Sequence, residues 1–277
     1  WLGFEWGAAH AGLPAARLVD GRDTDGVPEA AWLRAVEFVA FDHAARRVWA
    51  VAPAAGAAAW AERVRAWVRA GEAEASNPTL GRDVPTRTAT ARVSAERYAE
   101  LIEACHEIIR AGDAYQLCLT TRFTVPAGES PHDPVETFRR LRTRPRGADP
   151  TADAALAAEL RASVKEQAEN VMIVDLMRND LARVCEPGTV RVDALLAVES
   201  YAQVHQLVST VSGQLLRDAT VGALLAATFP AGSMTGAPKR SAMTHLLELE
   251  GAERGVYAGC WGFVGFDGTV DLAMVIR

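Results

Sequence analysis

The sequence predicts an α+β fold in which two antiparallel β-sheets pack face to face, with helices outside and a cleft between the sheets. Segments that alternate apolar and polar residues occur in neighbouring pairs, as in antiparallel hairpins. Helical segments with one apolar face separate these pairs, whereas a parallel α/β sheet would alternate single strands with helices. Apolar residues make up 49% of the 277 residues, which is enough for one large core or two modest domains.

The first part of the chain, residues 1–75, is expected to form the N-terminal part of the sheet core. It contains a predicted hairpin over 32–52 and a predicted helix over 57–70 with an apolar face. Residues 76–93 are rich in Gly, Asn, Pro and Thr, which is typical of a connector. Residues 94–277 are then expected to form the second and larger region.

Elements of this second region are predicted from caps, periodicity and turn residues. The long helix has a capping box, because Ser163 is followed three residues later by Glu166. In order, the region is predicted to contain a helix from Ser94 to about Ala111, a strand over 114–125, a short helix from Pro134 to about Leu141, the long helix over 164–183, strands over 189–198 and 203–213, a helix over 220–228, a Gly-rich turn over 231–237 before a helix that starts at Pro238, and a hairpin over 256–276.

Composition excludes several classes of function. The net charge is −6 without a long run of either sign, so nothing indicates nucleic acid as a partner. The four cysteines include no Cys-x-x-Cys pair, and free thiols in a reducing cytoplasm are the expected state. No apolar run is long enough to span a membrane, and no signal peptide opens the chain, although Trp1 suggests a truncated N-terminus. We therefore expect a cytoplasmic protein.

Two carboxylates, Glu166 and Glu169, lie three residues apart on the predicted long helix and share one face. Together with the nearby Asp175 they could hold a hard cation through oxygen. Spacing alone favours the alternative, a solvated acidic first turn that interacts with the helix dipole.

A Gly-rich segment, Phe229–Arg240, leads directly into a predicted helix. Backbone N–H groups at such a position can face an anion, and Ser233 and Thr235 would add hydroxyl groups. A plain tight turn before a capped helix explains the pattern equally well.

Other polar residues have structural interpretations of their own. Asp175, Arg178 and Asp180 lie in an otherwise apolar helix, which predicts buried pairing with neighbours. His205 lies in an apolar strand, where a hydrogen-bonded core histidine is the favoured interpretation. Tyr257 could form a carboxylate cradle with an arginine at the far end of the last hairpin, but a half-buried core tyrosine is the alternative.

Taken together, these segments resemble the chorismate-utilising enzymes. The resemblance covers roughly 94–277, is specific because several long motifs occur in the family's order, and is looser before residue 94. The matching segments are Ala111–Leu119, Glu169–Leu181, Phe229–Lys239, Gly255–Gly259 and Val275–Arg277.

The resemblance implies roles for matching positions. Glu169 would bind Mg²⁺ directly and Glu166 would hold a metal-bound water, which fits the preference of Mg²⁺ for oxygen. Tyr257 and Arg277 would bind a carboxylate of chorismate. Residues of the Gly-rich turn would assist them, namely Gly232, Ser233 and Thr235.

Three departures from the family pattern affect this interpretation. Leu141-Arg142 runs straight into Thr143, so a family segment that would hold both the catalytic lysine and an acidic glutamate is expected to be absent. The chain also stops at Arg277, before the family's second metal-binding glutamate. Gln206 stands where many relatives have histidine, which puts a proton-transfer role at this position in doubt.

Within the family, Asp175–Leu181 and Gly232–Pro238 resemble aminodeoxychorismate synthases more than anthranilate synthases. That resemblance implies amination of chorismate at C4, with a family lysine attacking C2 and ammonia expelling it, towards p-aminobenzoate for folate or a related secondary pathway. Ammonia implies a glutamine amidotransferase partner, as a subunit or fused domain, because the chain has no Gly-x-Cys-x-Gly elbow. The alternatives are anthranilate synthase component I and an inactive chorismate-binding homologue.

Replacement of Arg277 tests the implied carboxylate contact. We expect Arg277→Ala to raise the KM for chorismate, because a lost bidentate contact costs about 1.5–3 kcal/mol, or roughly ten- to over a hundred-fold. Arg277→Lys should recover only part of the loss, because an ammonium group cannot copy the planar fork. Steady-state kinetics that give an unchanged KM for both variants would make Arg277 a structural residue.

Overall fold

The chain consists of two compact units, one built from Trp1–Ala31 with Thr86–Arg277 and the other from Trp32–Pro85. Residues Trp1–Ala31 thus group with the C-terminal part of the chain, whereas the sequence analysis grouped them with residues up to 75. The computed structural model describes residues 1–13, 28–73, 88–126, 149–201 and 203–276.

Helices and strands both occur along the chain, which confirms the mixed α and β composition that the sequence predicts. In the described residues the helices are α1 (Phe4–His10), α2 (Ala57–Ala73), α3 (Ala95–Ala111), α4 (Pro150–Ala162), α5 (Val164–Ala182), α6 (Val221–Thr228), α7 (Gly232–Thr235) and α8 (Lys239–Glu250). The strands are β1 (Phe38–Asp42), β2 (Arg47–Val51), β3 (Thr90–Ala91), β4 (Gln116–Leu117), β5 (Phe123–Thr124), β6 (Arg191–Ser200), β7 (His205–Ser212), β8 (Gly236–Ala237), β9 (Cys260–Val264) and β10 (Val270–Met274).

Strand pairing in the described part of the chain is antiparallel throughout. The pairs are β1 with β2, β3 with β5, β4 with β8, β6 with β7, and β9 with β10, each a two-stranded ladder. Antiparallel pairing agrees with the prediction, but the packing of two larger sheets face to face is not confirmed.

Local signals predict the hairpins and the capped helices well. Ser94 accepts a hydrogen bond from the backbone N–H of Arg97 at 3.2 Å, and Ser163 accepts one from Glu166 at 3.3 Å. Each hydroxyl satisfies an N–H group that the first helical turn leaves without a partner. Helix α5 begins and ends within one residue of the predicted range.

Long-range contacts change the remaining elements. The predicted strand over 114–125 is replaced by two short strands, because β4 pairs with β8 whereas β5 pairs with β3. Helix α4 was not predicted. The predicted short helix from Pro134 to Leu141 and much of the predicted connector lie outside the described residues.

The smaller unit contains the β1–β2 hairpin and helix α2. Trp60 of α2 is buried and donates its indole N–H to the carbonyl of Phe38 at 3.1 Å. Arg63 pairs with Glu37 at 2.6 Å on the surface. The hairpin therefore contacts α2 through Trp60, but part of the predicted apolar face of that helix, including Trp67, is exposed.

Apolar side chains of the larger unit form clusters between the N-terminal helix and the C-terminal elements. Burying such side chains contributes roughly 1.5–3 kcal/mol each. One cluster contains Phe4, Ala8, Met234, Met243, Leu247 and Ala258, and a second contains Leu2, Leu225, Phe229 and Cys260.

A buried ion pair lies beside the first of these clusters. The Arg254 guanidinium donates two hydrogen bonds to the Glu250 carboxylate, from Nε at 2.9 Å and from Nη2 at 2.6 Å. Its other bonds go to the carbonyls of Met234, at 2.6 Å, and Cys118, at 2.9 Å. Glu250 also accepts the backbone N–H of Thr120 at 3.0 Å. Three segments of the chain therefore meet at one charged pair.

Helix α1 contributes two further contacts to the same arginine. The Arg254 Cζ atom lies 4.4 Å above the centre of the Phe4 ring, a cation–π geometry. The Glu5 carboxylate accepts the backbone N–H of Arg254 at 2.7 Å. This network ties the start of the chain to its C-terminal part.

Among the described helices, none combines the length and the apolar character that crossing a lipid bilayer requires.

Removal of the buried guanidinium should destabilise the protein far more than removal of a surface one. We expect Arg254→Ala to lower the free energy of unfolding by about 3–5 kcal/mol, because Glu250 is left buried and unpaired. Arg97→Ala is the control: Arg97 and Glu100 form an exposed pair whose side chains are 58% and 65% accessible, and its loss should cost below about 1 kcal/mol. Urea unfolding followed by tryptophan fluorescence measures both, and equal losses would contradict the network's role.

Candidate active site

The first two turns of α5 carry the two candidate metal-binding carboxylates. Glu166 and Glu169 are half exposed on one side of the helix, and the Lys165 ammonium lies 3.6 Å from an oxygen of Glu166 and 3.4 Å from an oxygen of Glu169. One cation thus contacts both carboxylates. The pKa of Lys165 is raised, chiefly by its hydrogen bond to Glu169.

These two side chains fit a magnesium ion in part. Oxygens of both carboxylates already contact the Lys165 ammonium. Hard carboxylate oxygens are also the ligands that Mg²⁺ prefers. Across the parts of the chain that the structure describes, no group of three or more His, Cys, Asp or Glu side chains is placed to hold a metal. The donor set fits a Mg²⁺ ion that keeps several water ligands, which is its usual state in proteins.

The Gly-rich turn packs directly on α5. A Cβ atom added at Gly232 would lie 2.2 Å from Cδ2 of Leu176, so a larger residue here would require the Leu176 side chain to move. Ser233 is exposed, whereas Gly232 and Thr235 are buried. The acidic helix and the turn are therefore in contact through the middle of α5.

Thr235 is fully buried, and its hydroxyl lies 3.3–3.4 Å from the backbone carbonyls of Ala231, Gly232 and Gly236. Since a hydroxyl has one proton, these carbonyls share it. In this geometry Thr235 shapes the turn from within, and its predicted contact with substrate stays a prediction.

Gly236 brings the turn against the segment that resembles the family's Gly-Asp-x-Tyr-Gln strand. Its φ of +118° is a conformation that residues with side chains rarely adopt, and an added Cβ would lie 2.1 Å from the carbonyl oxygen of Gln116. Strand β8 pairs there with β4, Gln116 opposite Ala237. The conformational freedom of glycine is needed at this position.

Cys118 contacts the Gly-rich turn. Its thiol donates to the Ser233 carbonyl at 3.3 Å. Burial raises the pKa of this thiol, and the negative charges of Glu169 and Glu250 add to the rise, against the opposing effect of Arg254.

A second buried ion pair joins α5 to α8. The Lys239 ammonium donates to Oδ2 of Asp180 at 2.5 Å and to the carbonyl of Thr228 at 3.2 Å. Burial raises the pKa of Asp180 and lowers that of Lys239, while each partner opposes the effect on the other. The prediction that Asp180 is buried and paired is confirmed.

The other two charges of this motif lie on the surface. Arg178 and Asp175 pair at 3.3 Å, with side chains that are 52% and 81% exposed. The predicted buried pairing is wrong for both, because α5 covers its neighbours with only one of its faces. Asp175 is accordingly not placed with Glu166 and Glu169.

Tyr257 lies in the turn before β9 and is 40% exposed. Burial raises the pKa of Tyr98, and the charges of Cys105, Glu250 and Tyr257 add to the rise. Arg277 lies outside the described residues, so its pairing with Tyr257 stays a prediction.

His205 behaves as the core histidine that the sequence predicts. Its Nδ1 lies 2.8 Å from the Ser200 hydroxyl, and Nε2 lies 3.1 Å from the carbonyl oxygen of Asp153 and 3.2 Å from its carboxylate. These contacts join β7 to α4. The adjacent Gln206 is exposed.

Two groups near this site were missed by the sequence analysis. The Arg254–Glu250 pair could have been found from its spacing of four residues at the end of a helix. The position of Lys165 next to Glu166 and four residues before Glu169 also predicts a shared contact. Neither signal distinguishes a buried pair from an exposed one.

The whole length of the chain matches the model of one protein family, the chorismate binding enzymes, in two parts that cover residues 1–144 and 143–277. The chain belongs to the chorismate-binding enzyme family. The two parts of the match meet where the sequence analysis places the absent family segment, between Arg142 and Thr143.

Individual relatives come from two branches of the family. Aminodeoxychorismate synthase of Streptomyces pristinaespiralis is 36% identical over 328 residues, which cover 100% of this chain and 44% of that protein. Anthranilate synthase component 1 of Streptomyces coelicolor is 37% identical over 332 residues, which cover 100% of this chain and 64% of that protein. The chain thus spans less than two thirds of these relatives.

A solved structure gives the same picture of the fold. Anthranilate synthase component I from Streptococcus pneumoniae matches with a TM-score of 0.80 and 29% sequence identity, over 100% of this chain and 70% of that chain. The fold of this chain is therefore that of the family, with its candidate site on the elements described above.

Proposed function

We propose that this chain is the chorismate-binding catalytic part of an aminodeoxychorismate synthase, which replaces the C4 hydroxyl of chorismate with an amino group. The observation that carries the proposal is the contact between α5, with Glu166 and Glu169, and the Gly-rich turn at Gly232. It brings carboxylates that can hold a cation near backbone that can bind an anion. Similarity to aminodeoxychorismate synthases along the whole chain supports the choice of reaction.

Each side chain would have a limited task in this proposal. Glu169 would hold Mg²⁺ directly and Glu166 through water, and the bound ion would supply positive charge to a chorismate carboxylate. Tyr257 and Arg277 would bind a carboxylate, with Gly232 and Ser233 beside it. The substrate would lie in a cleft between two antiparallel sheets, as the sequence analysis expects.

The covalent step is assigned to no lysine of this chain. Lys239 is buried in its pair with Asp180, and Lys165 lies against the two carboxylates. Neither matches the motif of the family lysine. Alignments of 328 and 332 residues exceed the 277 residues of this chain, so relatives contain additional residues, and the lysine and the acid would belong to such a segment.

Ammonia for the reaction would come from a glutamine amidotransferase, either a separate subunit or a fused domain. Amination needs a nitrogen source, and release of ammonia from glutamine needs an activated cysteine nucleophile. The product would serve p-aminobenzoate and folate synthesis or a related secondary pathway.

Two alternatives have observations in their favour. Anthranilate synthase component I is supported by the similarity to the Streptomyces coelicolor protein and by the Streptococcus pneumoniae structure. A chorismate-binding homologue without activity is supported by the direct connection of Arg142 to Thr143, where relatives carry further residues.

The metal assignment predicts unequal effects of the two carboxylates. Glu166→Gln should weaken Mg²⁺ binding by about tenfold or more, as expected for a residue that acts through water. Glu169→Gln should weaken it further, because a direct oxygen ligand is lost. Glu107→Gln, a neutralised exposed carboxylate on α3, is the control for charge alone. Isothermal titration calorimetry measures the Kd, and the assignment fails if Glu169→Gln matches Glu107→Gln.

The reaction is tested by its product. With chorismate, Mg²⁺ and ammonium, the intact protein, including the segment that would carry the lysine and the acid, should form 4-amino-4-deoxychorismate, which a downstream lyase converts to p-aminobenzoate. Chromatography separates this from o-aminobenzoate, and Glu169→Gln controls for contaminating activity. Anthranilate with release of pyruvate would indicate the anthranilate synthase branch. Chorismate binding without either product would indicate the inactive homologue.

A further inference from the structure

The pair between Asp180 and Lys239 joins the ends of three helices. Asp180 lies near the C-terminal end of α5 and is 2% exposed. Lys239 is the first residue of α8 and follows the Gly-rich turn after Pro238. Through its second hydrogen bond, to Thr228, the same ammonium holds the last residue of α6. The pair is thus anchored on both sides of the turn.

Helical periodicity places this pair on the same face of α5 as the candidate metal ligand. Leu176 and Asp180 follow Glu169 by about two and about three helical turns, so the three side chains lie in one line along the helix. Leu176 contacts Gly232, and Asp180 contacts Lys239. The face of α5 that carries Glu169 is therefore the face that contacts the Gly-rich turn and Lys239.

The two contacts restrain α5 in different ways. Apolar contact between Leu176 and Gly232 is non-directional and tolerates small rotations and shifts. An ammonium at 2.5 Å from one carboxylate oxygen, with a backbone carbonyl as second acceptor, tolerates much less. A buried ion pair is often no more stabilising than apolar residues of similar volume. The effect of this pair on the position of α5 is therefore a better guide to its role than its effect on stability.

We propose that Asp180 and Lys239 are a positioning pair that fixes the rotation and axial position of α5 against the Gly-rich turn, so that Glu166 and Glu169 face the substrate site. This role rests on the proposed function, because it concerns the magnesium and substrate contacts assigned there. Asp180 and Lys239 touch neither ligand themselves. They act through the helix and the turn that carry the binding groups.

The test separates positioning from stability with two variants. Lys239→Met leaves Asp180 buried and unpaired, so it should lower both stability and Mg²⁺ affinity. Asp180→Asn combined with Lys239→Met removes both charges and should recover most of the stability, because no buried charge lacks a partner. We expect this double variant still to bind Mg²⁺ about ten- to a hundredfold more weakly than the wild type. Hydrogen exchange at the N-terminal turn of α5 and at Gly232–Gly236 should also be faster.

Leu101→Ala in α3 is the matched control, because it removes a buried side chain from an element that carries neither the turn, the two carboxylates nor the ion pair. It should lose stability and keep wild-type Mg²⁺ affinity and exchange in both segments. The positioning role is overturned if the double variant binds Mg²⁺ like the wild type, or if Leu101→Ala weakens binding as much. If the wild-type protein binds no Mg²⁺, the metal assignment is refuted instead. Hydrogen exchange in the double variant then tests the positioning role by itself: faster exchange supports that role, and unchanged exchange overturns it.

Discussion

The buried contact of Arg254 with Glu250 is the interaction on which the larger unit depends most directly. A guanidinium has five N–H donors in a rigid plane, and here they reach one carboxylate and two backbone carbonyls from different segments. Burying a guanidinium in an apolar core without these acceptors would cost folding free energy. The segments that supply the acceptors therefore have to adopt one arrangement around it. The position of Met234, and with it the Gly-rich turn, follows from that requirement.

The turn is consequently held from two sides by charge and from within by a hydroxyl. Arg254 binds its backbone on one side, Lys239 is anchored immediately after it, and Thr235 bonds to its carbonyls from inside. Backbone that is fixed in this way can present N–H groups to a ligand without reorganising first, which is how binding sites avoid an entropic cost. Contact with α5 brings the turn, whose N–H groups can bind an anion, together with a helix whose carboxylates can bind a cation.

Much of the fold could be predicted wherever the deciding signal is local. Ser94 and Ser163 cap helices as their positions predict, and His205 lies in the core as an isolated histidine in an apolar strand should. Splitting of the 114–125 strand could not be predicted, because the pairing of Gln116 with Ala237 depends on residues far apart in sequence. Nor does helical spacing reveal which face of α5 is covered, so Asp180 was assigned correctly and Asp175 was not. For the candidate site, the sequence predicts that Glu166 and Glu169 share a face of α5 and that a turn precedes α8, but not the orientation of the Thr235 hydroxyl.

The stacking of Phe4 under Arg254, together with the Glu5 contact, has a consequence for the order in which the chain acquires its structure. These contacts close a loop that includes nearly the whole sequence. Contacts of such long range are slow to form, since chain entropy is lost before they contribute energy. During synthesis on the ribosome, α1 leaves the exit tunnel long before its partners exist, and its apolar face has to wait for the last quarter of the chain. Completion of the core therefore waits until these late segments have been synthesised, and the interval before it is when the nascent protein is most exposed to aggregation.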